Sequence, residues 1–276
     1  MSGTLFVVGT PIGNLDDMTY RAIKTLQEVD FITAEDTRVT LKLLNRFNIK
    51  NKLISYHDHS TKQVTENILD HIANGQDCAI VTDAGMPCIS DPGEILVRMC
   101  YERGIPVKVI PGPSAVVSAL AISGLNTSRF TFEGFLSVTK KQRFEHLEML
   151  VDEPRTMIFY EAPHKLKSTL SDMYKYFGDR KISLCRELTK IHEEVLQMTL
   201  HQAIEYYELY NPKGEFVLVV EGKKADVCKT LSLNDAIKKV QDLVNNGART
   251  TDACKEIAKI SNFSKSELYT AVNNLI

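Results

Sequence analysis

A chain of 276 residues, 43% hydrophobic and 25% charged, has the composition of a globular protein of one large domain or two modest ones. With 11 Phe and 10 Tyr it can bury a real core, which excludes a disordered or fibrous chain. A formal charge of −2 excludes a uniformly basic nucleic-acid coat, but not a local basic patch. The charge is uneven: residues 1–120 hold 11 basic and 14 acidic side chains, residues 136–190 hold 11 against 8, and residues 223–276 hold 9 against 6. Such imbalances are common on surfaces, and they also fit an anionic partner touching the second half. The six cysteines (Cys78, Cys88, Cys100, Cys185, Cys228 and Cys254) stand in no C-x-x-C spacing, so no zinc ribbon or thioredoxin-like motif is indicated. They read as reduced thiols, mostly buried as small hydrophobes. The start, MSGTLFVVGTPIGN, lacks the basic n-region of a signal peptide. Nowhere do the roughly 18 apolar residues of a membrane span run together. The expectation is a soluble cytoplasmic protein.

In chain order, LFVVG (5–9) predicts a short strand, and Asp16 and Asp17 offer a cap for a helix with Ala22, Ile23, Leu26 and Val29 on one face. FITAED (31–36) reads as a strand, 39–47 as a helix and KLISY (52–56) as a strand. Ser60 or Thr61 opens a helix that aligns Val64, Ile68 and Ile72 and stops at Gly75. CAIVTD (78–83), a helix over 95–103, VKVI (107–110) and a helix over 115–122 complete the series. Strands alternating with helices at this spacing predict a mostly parallel sheet covered on both faces.

The second half changes character. Strands are predicted at FTFEGFL (130–136), RTMIFYE (155–161), ISLCREL (182–188), EVLQMTL (194–200) and EFVLVVEG (215–222). Two helices interrupt them, over 141–151 and from Pro163 to Gly178, the latter aligning Leu166, Leu170, Met173 and Phe177. This pattern predicts an α+β domain with a mixed sheet. Beyond Lys224 the chain turns helical, with Ala236, Ile237, Val240, Leu243 and Val244 on one face and a capping box at Ser264-x-x-Glu267. Two short helices joined around 261–263 have the outline of a helix-turn-helix, a shape that small helical tails also reach by chance. The boundaries expected are 1–124, 125–224 and 225–276.

Three loops concentrate Gly and Pro: GTPIGN (9–14), TDAGMPCISDPG (82–93) and PGPSA (111–115). Each follows a strand, so all three fall at the carboxyl ends of the sheet, where open α/β sheets bind ligands. The dinucleotide fingerprint G-x-G-x-x-G and the phosphate loop G-K-[ST] are both missing, which disfavours a nicotinamide dehydrogenase or a nucleotide hydrolase. Prolines, small residues and the acids Asp83 and Asp91 suit a ligand with hydroxyls, an amine or a positive centre better than a polyphosphate. S-adenosylmethionine, a sulfonium without a phosphate, is one such ligand.

VGTPIGNLDD, AEDTR (34–38), YHDH (56–59), TDAGMPCISDPG, PGPSA, EGFL (133–136), FYEAPHK (159–165), CRELTK (185–190) and KGEFVLVVEG (213–222) occur in this order. Together they resemble the bacterial ribosomal RNA small-subunit methyltransferase I group, a branch of the tetrapyrrole-methylase superfamily. The resemblance spans nearly the whole chain. Met86 stands where the group often has Thr, and Lys165 where it often has Arg. The resemblance implies the two-domain fold of a class III methyltransferase with a small helical tail, a homodimer, and S-adenosylmethionine bound in the cleft between domains. It implies donor contacts at Pro11, Asp83, Ala84, Gly85, Met86, Ile89, Ser114 and Ala115, and from the second domain at Tyr160, Leu188, Gly214 and Glu215. The implied reaction is 2′-O-methylation of a cytidine ribose in 16S ribosomal RNA of the 30S subunit, near the decoding site.

A ribose hydroxyl is a poor nucleophile at neutral pH, so transfer needs a base and in-line placement. Glu35, Asp36, His57, His59 and Glu187 are the candidates, each carboxylate having a structural ion pair with Arg38 or Arg186 as its plainer role. His57 and His59, two apart on an extended strand, would also suit a metal pair, but no further ligand stands near them and no metal is expected. In the tail Arg249, Lys255, Lys259 and Lys265 could contact RNA phosphates, with Ile257, Ile260, Leu268 and Val272 turned inward. A helical cap that only packs is the plainer reading of that segment. Two further alternatives are a small-molecule tetrapyrrole methylase, which needs neither the tail nor the basic balance, and an RNA-binding protein without catalysis, which needs none of the three intact loops.

Overall fold

The structure is a computed structural model describing residues 2–91, 93–224 and 231–274; Pro92, Cys228 and the start of the predicted tail lie outside the described residues. Two compact units result, Met1–Lys223 and Lys224–Ile276. The first holds two five-stranded sheets.

The first sheet is built from β1 (Leu5–Val8), β2 (Phe31–Ala34), β3 (Leu53–Ser55), β4 (Cys78–Val81) and β5 (Val107–Ile110), in the order β3-β2-β4-β1-β5. Every pairing is parallel, as the alternation of periods predicts. β2 and β4 are buried along their whole length, which explains why FITA and CAIV read as continuous apolar runs rather than alternating ones. Between the strands run α1 (Tyr20–Glu28), α2 (Thr37–Arg46), α3 (Lys62–Ala73), α4 (Glu94–Glu102) and α5 (Ala115–Ile122). One core, around Leu5, Ile68, Ile72, Ile80 and Leu96, lies on one face; another, around Val8, Leu26, Ile32, Leu44 and Val81, lies on the other. The cap of α1 differs from expectation: Thr19 accepts the Ala22 amide (3.1 Å), while Asp16 and Asp17 sit in a short 3-10 turn capped by Asn14.

The second sheet comprises β6 (Phe130–Phe135), β7 (Thr156–Glu161), β8 (Lys181–Arg186), β9 (Glu194–Thr199) and β10 (Phe216–Val220), in the order β6-β7-β10-β8-β9. Only β6 and β7 are parallel, which makes it the mixed sheet expected. α6 (Lys140–Met149), α7 (Pro163–Phe177) and α8 (Leu200–Leu209) accompany it. The sequence reading missed α8 because EVLQMTL looked like one apolar strand. The strand stops at Thr199, whose side chain forms a capping box with Gln202 and turns Leu200 into the first helical residue.

α5 joins the sheets. It belongs in sequence to the first series, yet Val116, Ala119 and Leu120 are buried against Ile158, Cys185, Val217 and Val219 of the second sheet. At its far end the Gln197 side chain of β9 donates to the Ser123 carbonyl (3.0 Å). The second unit packs α9 (Leu233–Asn245), α10 (Thr250–Ala258) and α11 (Lys265–Asn273) around Ile237, Val240, Ile257, Leu268 and Val272. The Ser264–Glu267 capping box is present. Ile260 corrects the expected inward face: α10 has ended two residues earlier, the helical phase is lost, and Ile260 is 45% exposed. Among the described residues no helix is long and apolar enough to cross a membrane.

The loops after β1 and β5 touch backbone to backbone. A Cβ on Gly112 would stand 2.9 Å from Gly9 Cα, and one on Gly9 would stand 2.7 Å from Gly112 Cα. Neither neighbour is a side-chain tip that can swing aside. Gly112→Ala is therefore expected to cost about 1–3 kcal/mol, the range for overpacking a rigid contact. Urea unfolding measures it; an unchanged midpoint and slope would show that the two loops part freely.

Candidate active site

The three Gly/Pro loops follow β1, β4 and β5 and converge. Thr10 and Gly85 exchange backbone hydrogen bonds (Thr10 N–H to Gly85 O, 2.9 Å; Gly85 N–H to Thr10 O, 3.1 Å), and the Thr10 hydroxyl donates to the Thr82 carbonyl (3.2 Å). Gly85 has φ +87°, the left-handed region where glycine carries no penalty. Gly13 lies against the turn after β8, where a Cβ would meet Lys190 Cγ at 2.6 Å and the Leu188 carbonyl at 3.0 Å. The first loop thus clamps one sheet to the other.

Between them opens a cavity of about 550 Å³. Its wall takes Asp83, Ala84, Gly85, Met86 and Ile89 from the loop after β4, and Ser114 and Ala115 from the start of α5. Tyr160 of β7, Leu188 and Glu215 come from the second half. Of the expected donor contacts only Pro11 and Gly214 stand off the wall, each beside a residue, Ile12 or Glu215, that lines it. Asp91, Phe135, Glu161 and Pro163 also line it. In the sequence Asp91 stands out only as an acid of its loop, Pro163 only as a helix start, and Phe135 and Glu161 only as parts of motifs, because which side chain faces inward depends on how its strand or turn is rotated.

The catalytic candidates separate. Glu35 is on the wall, its carboxylate accepting the Thr82 hydroxyl (2.6 Å). Asp36 is not: it caps α2, accepting the Arg38 amide (2.8 Å) and pairing with the Arg38 guanidinium (2.6 Å). The Arg38 side chain, then its amide, holds the Asp36 carboxyl down at about 2. His57 and His59 are also off the wall, and they sit in the turn after β3, not on an extended strand; the chain leaves the sheet at Ser55 because the Ser60 hydroxyl accepts the His57 amide (2.8 Å). Their ring centroids are 6.3 Å apart. Glu187 pairs with Lys190 (2.8 Å) rather than Arg186, which goes to Glu194 (3.1 Å). Its φ of +52° turns the side chain under Gly214, where it also accepts the Glu215 amide (2.9 Å), and the Lys190 and Glu215 contacts lower its pKa.

The wall is acidic. Glu35, Asp83, Asp91, Glu161 and Glu215 face the cavity, and no Lys, Arg or His does so among the described residues. Burial raises the Asp83 pKa, against the Asp36 amide that donates to it (3.2 Å). Burial and the nearby Glu35 charge push Asp91 up to about 6. Burial pushes the Tyr160 hydroxyl up to about 12, against the Val116 amide that donates to it.

An upward shift at Asp91 favours the protonated carboxyl in the folded chain. Its contribution to stability is full below the unfolded value and is lost as pH rises through about 6. Asp91→Asn cannot ionise and is expected to raise the thermal midpoint near pH 8 by ~2 °C, allowing for solvent screening. Near pH 3.5 the two proteins should melt together. Equal midpoints at both pH values would remove the strained charge.

Residues 4–204 match the family described as Tetrapyrrole (Corrin/Porphyrin) Methylases. The chain is 46% identical over 273 residues to ribosomal RNA small subunit methyltransferase I of Halalkalibacterium halodurans, covering 97% of this chain and 93% of that protein. It is 48% identical over 222 residues to the protein of the same name from Thermotoga maritima, covering 80% of this chain and all of the relative. Among solved structures, uroporphyrin-III-C-methyltransferase from Thermus thermophilus superposes with a TM-score of 0.54 at 18% identity, covering 79% of this chain and 94% of that one. Diphthine synthase gives a TM-score of 0.60 at 12% identity, covering 80% and 90%, a likeness of fold alone. The parallel first sheet, the mixed second sheet and the cavity between them are the frame of a methyltransferase, and the chain belongs to the ribosomal RNA small subunit methyltransferase I family within the tetrapyrrole methylases.

Proposed function

We propose that this protein methylates the 2′-oxygen of a cytidine ribose in 16S ribosomal RNA, near the decoding site of the 30S subunit, as a cytoplasmic homodimer. The observation that carries the donor is the composition of the cavity wall. Five carboxylates, with no basic side chain among the described residues, suit a cation and repel a polyphosphate, and Ile12, Met86, Ile89 and Leu188 cover an apolar ligand body. S-adenosylmethionine fits both halves, and when bound it supplies an electrophilic methyl on a sulfonium. The identity of the RNA rests on the relatives' names, and the ribose oxygen on the motif resemblance.

On this reading residues 1–124 and 125–224 are two domains sharing the donor cleft, and Asp83, Gly85, Ser114, Ala115 and Tyr160 bind and orient the donor. Glu35 is the one catalytic candidate placed to take a proton from a hydroxyl inside the cavity. Asp36 and Glu187 serve as braces, the first for α2 and the second for the turn at Gly214. His57 has no cavity contact through which to act.

The test is transfer of labelled methyl from S-adenosylmethionine to 30S subunits from a strain lacking the enzyme, followed by alkaline digestion. A 2′-O-methyl blocks cleavage at the adjacent phosphodiester; a mark that leaves cleavage intact would sink the ribose assignment, and no mark at all would sink the substrate. By calorimetry, Ala115→Phe should weaken donor binding at least ~10-fold. Glu35→Gln should retain donor binding and slow transfer by ~100-fold or more.

The tail, residues 225–276, is proposed as an accessory RNA-binding element. Arg249, Lys255, Lys259 and Lys265 are all exposed. Neutralising the four to Gln is expected to weaken 30S binding and flatten its salt dependence by ~1 unit per contact, with donor affinity unchanged. An unchanged salt slope would leave the tail a packing cap.

A further inference from the structure

A further basic surface lies on the first unit. Three cations gather round one ring: Lys140 Nζ is 5.3 Å from the Phe144 centroid, Lys175 Nζ 5.1 Å and Arg143 Cζ 5.8 Å. Lys175 also lies 5.6 Å from Tyr176, whose ring is 5.5 Å from Phe144. Among the described residues, of the three cations only Arg143 has a carboxylate partner, Asp172 at 2.8 Å, and that pair is largely buried. Cation–π contact positions the two lysines without neutralising them. Like charges held together at an exposed site are a local cost that a bound anion removes.

The surface is not isolated. α7 begins at Pro163, which lines the cavity, and ends beside this cluster. Its exposed positions are His164, Lys167, Ser168, Ser171, Tyr174 and Lys175, a stripe at helical spacing that contains no carboxylate. From Pro163 to Lys175 the helix rises about 18 Å at about 1.5 Å per residue, room for several phosphates of one strand. The cavity itself is acidic and repels a phosphate backbone. A nucleic-acid strand whose ribose enters that cavity must therefore find its cations outside it, and the helix that carries this stripe starts at the cavity wall.

We infer that the exposed face of α7, from His164 to Lys175, together with Lys140 of α6, is a track for the backbone phosphates of the RNA that presents the reacting nucleotide. The inference rests on RNA being the substrate and adds where the strand runs. It needs no base recognition, since ammonium groups read charge and spacing only.

Full-length Lys140→Gln/Lys175→Gln and Lys167→Gln variants test it, with Lys24→Gln on α1 as a control from another face. Thermal midpoints and donor calorimetry are expected to match the parent. The KM for 30S subunits should rise several-fold and the salt dependence of binding should flatten by ~1 unit per lysine removed. The control should do neither. If the parent transfers methyl to 30S subunits while the variants keep its KM and salt slope, the track is wrong and the RNA reading stands. If the parent transfers none, the RNA reading falls and the track with it. An equal loss in Lys24→Gln would show diffuse attraction and overturn the track. So would altered sedimentation with an unchanged KM, which would assign the face to protein contacts.

Discussion

The cavity depends on α5 passing from one sheet to the other. By sequence it follows β5 of the parallel sheet; by packing, Val116, Ala119 and Leu120 are buried against the mixed sheet. Taken fully out of water, Val116 and Leu120 contribute about 1.5–3 kcal/mol each and the Ala119 methyl about 0.8, so the contact helps to hold α5 on the mixed sheet. The residues at its start, Ser114 and Ala115, consequently face the cavity rather than solvent. The Gly9–Gly112 contact sets how closely the first and third loops approach, and Gly13 seats the first loop on the turn after β8. Remove the side-chain space those glycines leave, and the walls separate.

Strain collects around the same opening. Cys88 and Ser90 in the loop after β4, and Glu187 and Thr189 in the turn after β8, are non-glycine residues at positive φ. Such conformations persist only where neighbours over-determine them. For Glu187 those neighbours are Lys190 and the Glu215 amide, and for Thr189 the Glu193 carboxylate that accepts its amide (2.5 Å). The two strained turns approach the cavity from opposite sheets, and each carries wall residues: Ile89 and Asp91 on one side, Leu188 on the other.

Charge divides the molecule in a way its net value conceals. Carboxylates gather in the cavity, where burial and then neighbouring charge raise the Asp83 and Asp91 pKa values, while Lys140 of α6 and Lys175 of α7 gather round Phe144. A cationic donor and an anionic polymer can then be attracted to different places on one protein. The local excess of base over acid in residues 136–190, legible in the composition, is the sum of that outer face and its paired neighbours.

The strands were legible in the sequence, because short, β-branched apolar runs such as CAIV and FVLVV, bounded by turn residues, fit strands buried on both faces. The sequence determined the ligand edge as well, since Gly and Pro gather where strands end. Ten of the twelve expected donor contacts stand on the cavity wall, carried by motifs whose order along the chain is itself informative. What it could not give was direction. Glu35 and Asp36 are adjacent, yet one faces the cavity and the other caps a helix, a difference of backbone rotation at the end of β2. Pairing partners were equally out of reach: Glu187 takes Lys190 and Arg186 takes Glu194, because a positive φ in the turn redirects the glutamate. Local periodicity fixes which residues form an element and which face is apolar. Only tertiary packing decides what that face meets, as when α5 leaves its own sheet's series to close the cavity from the other side.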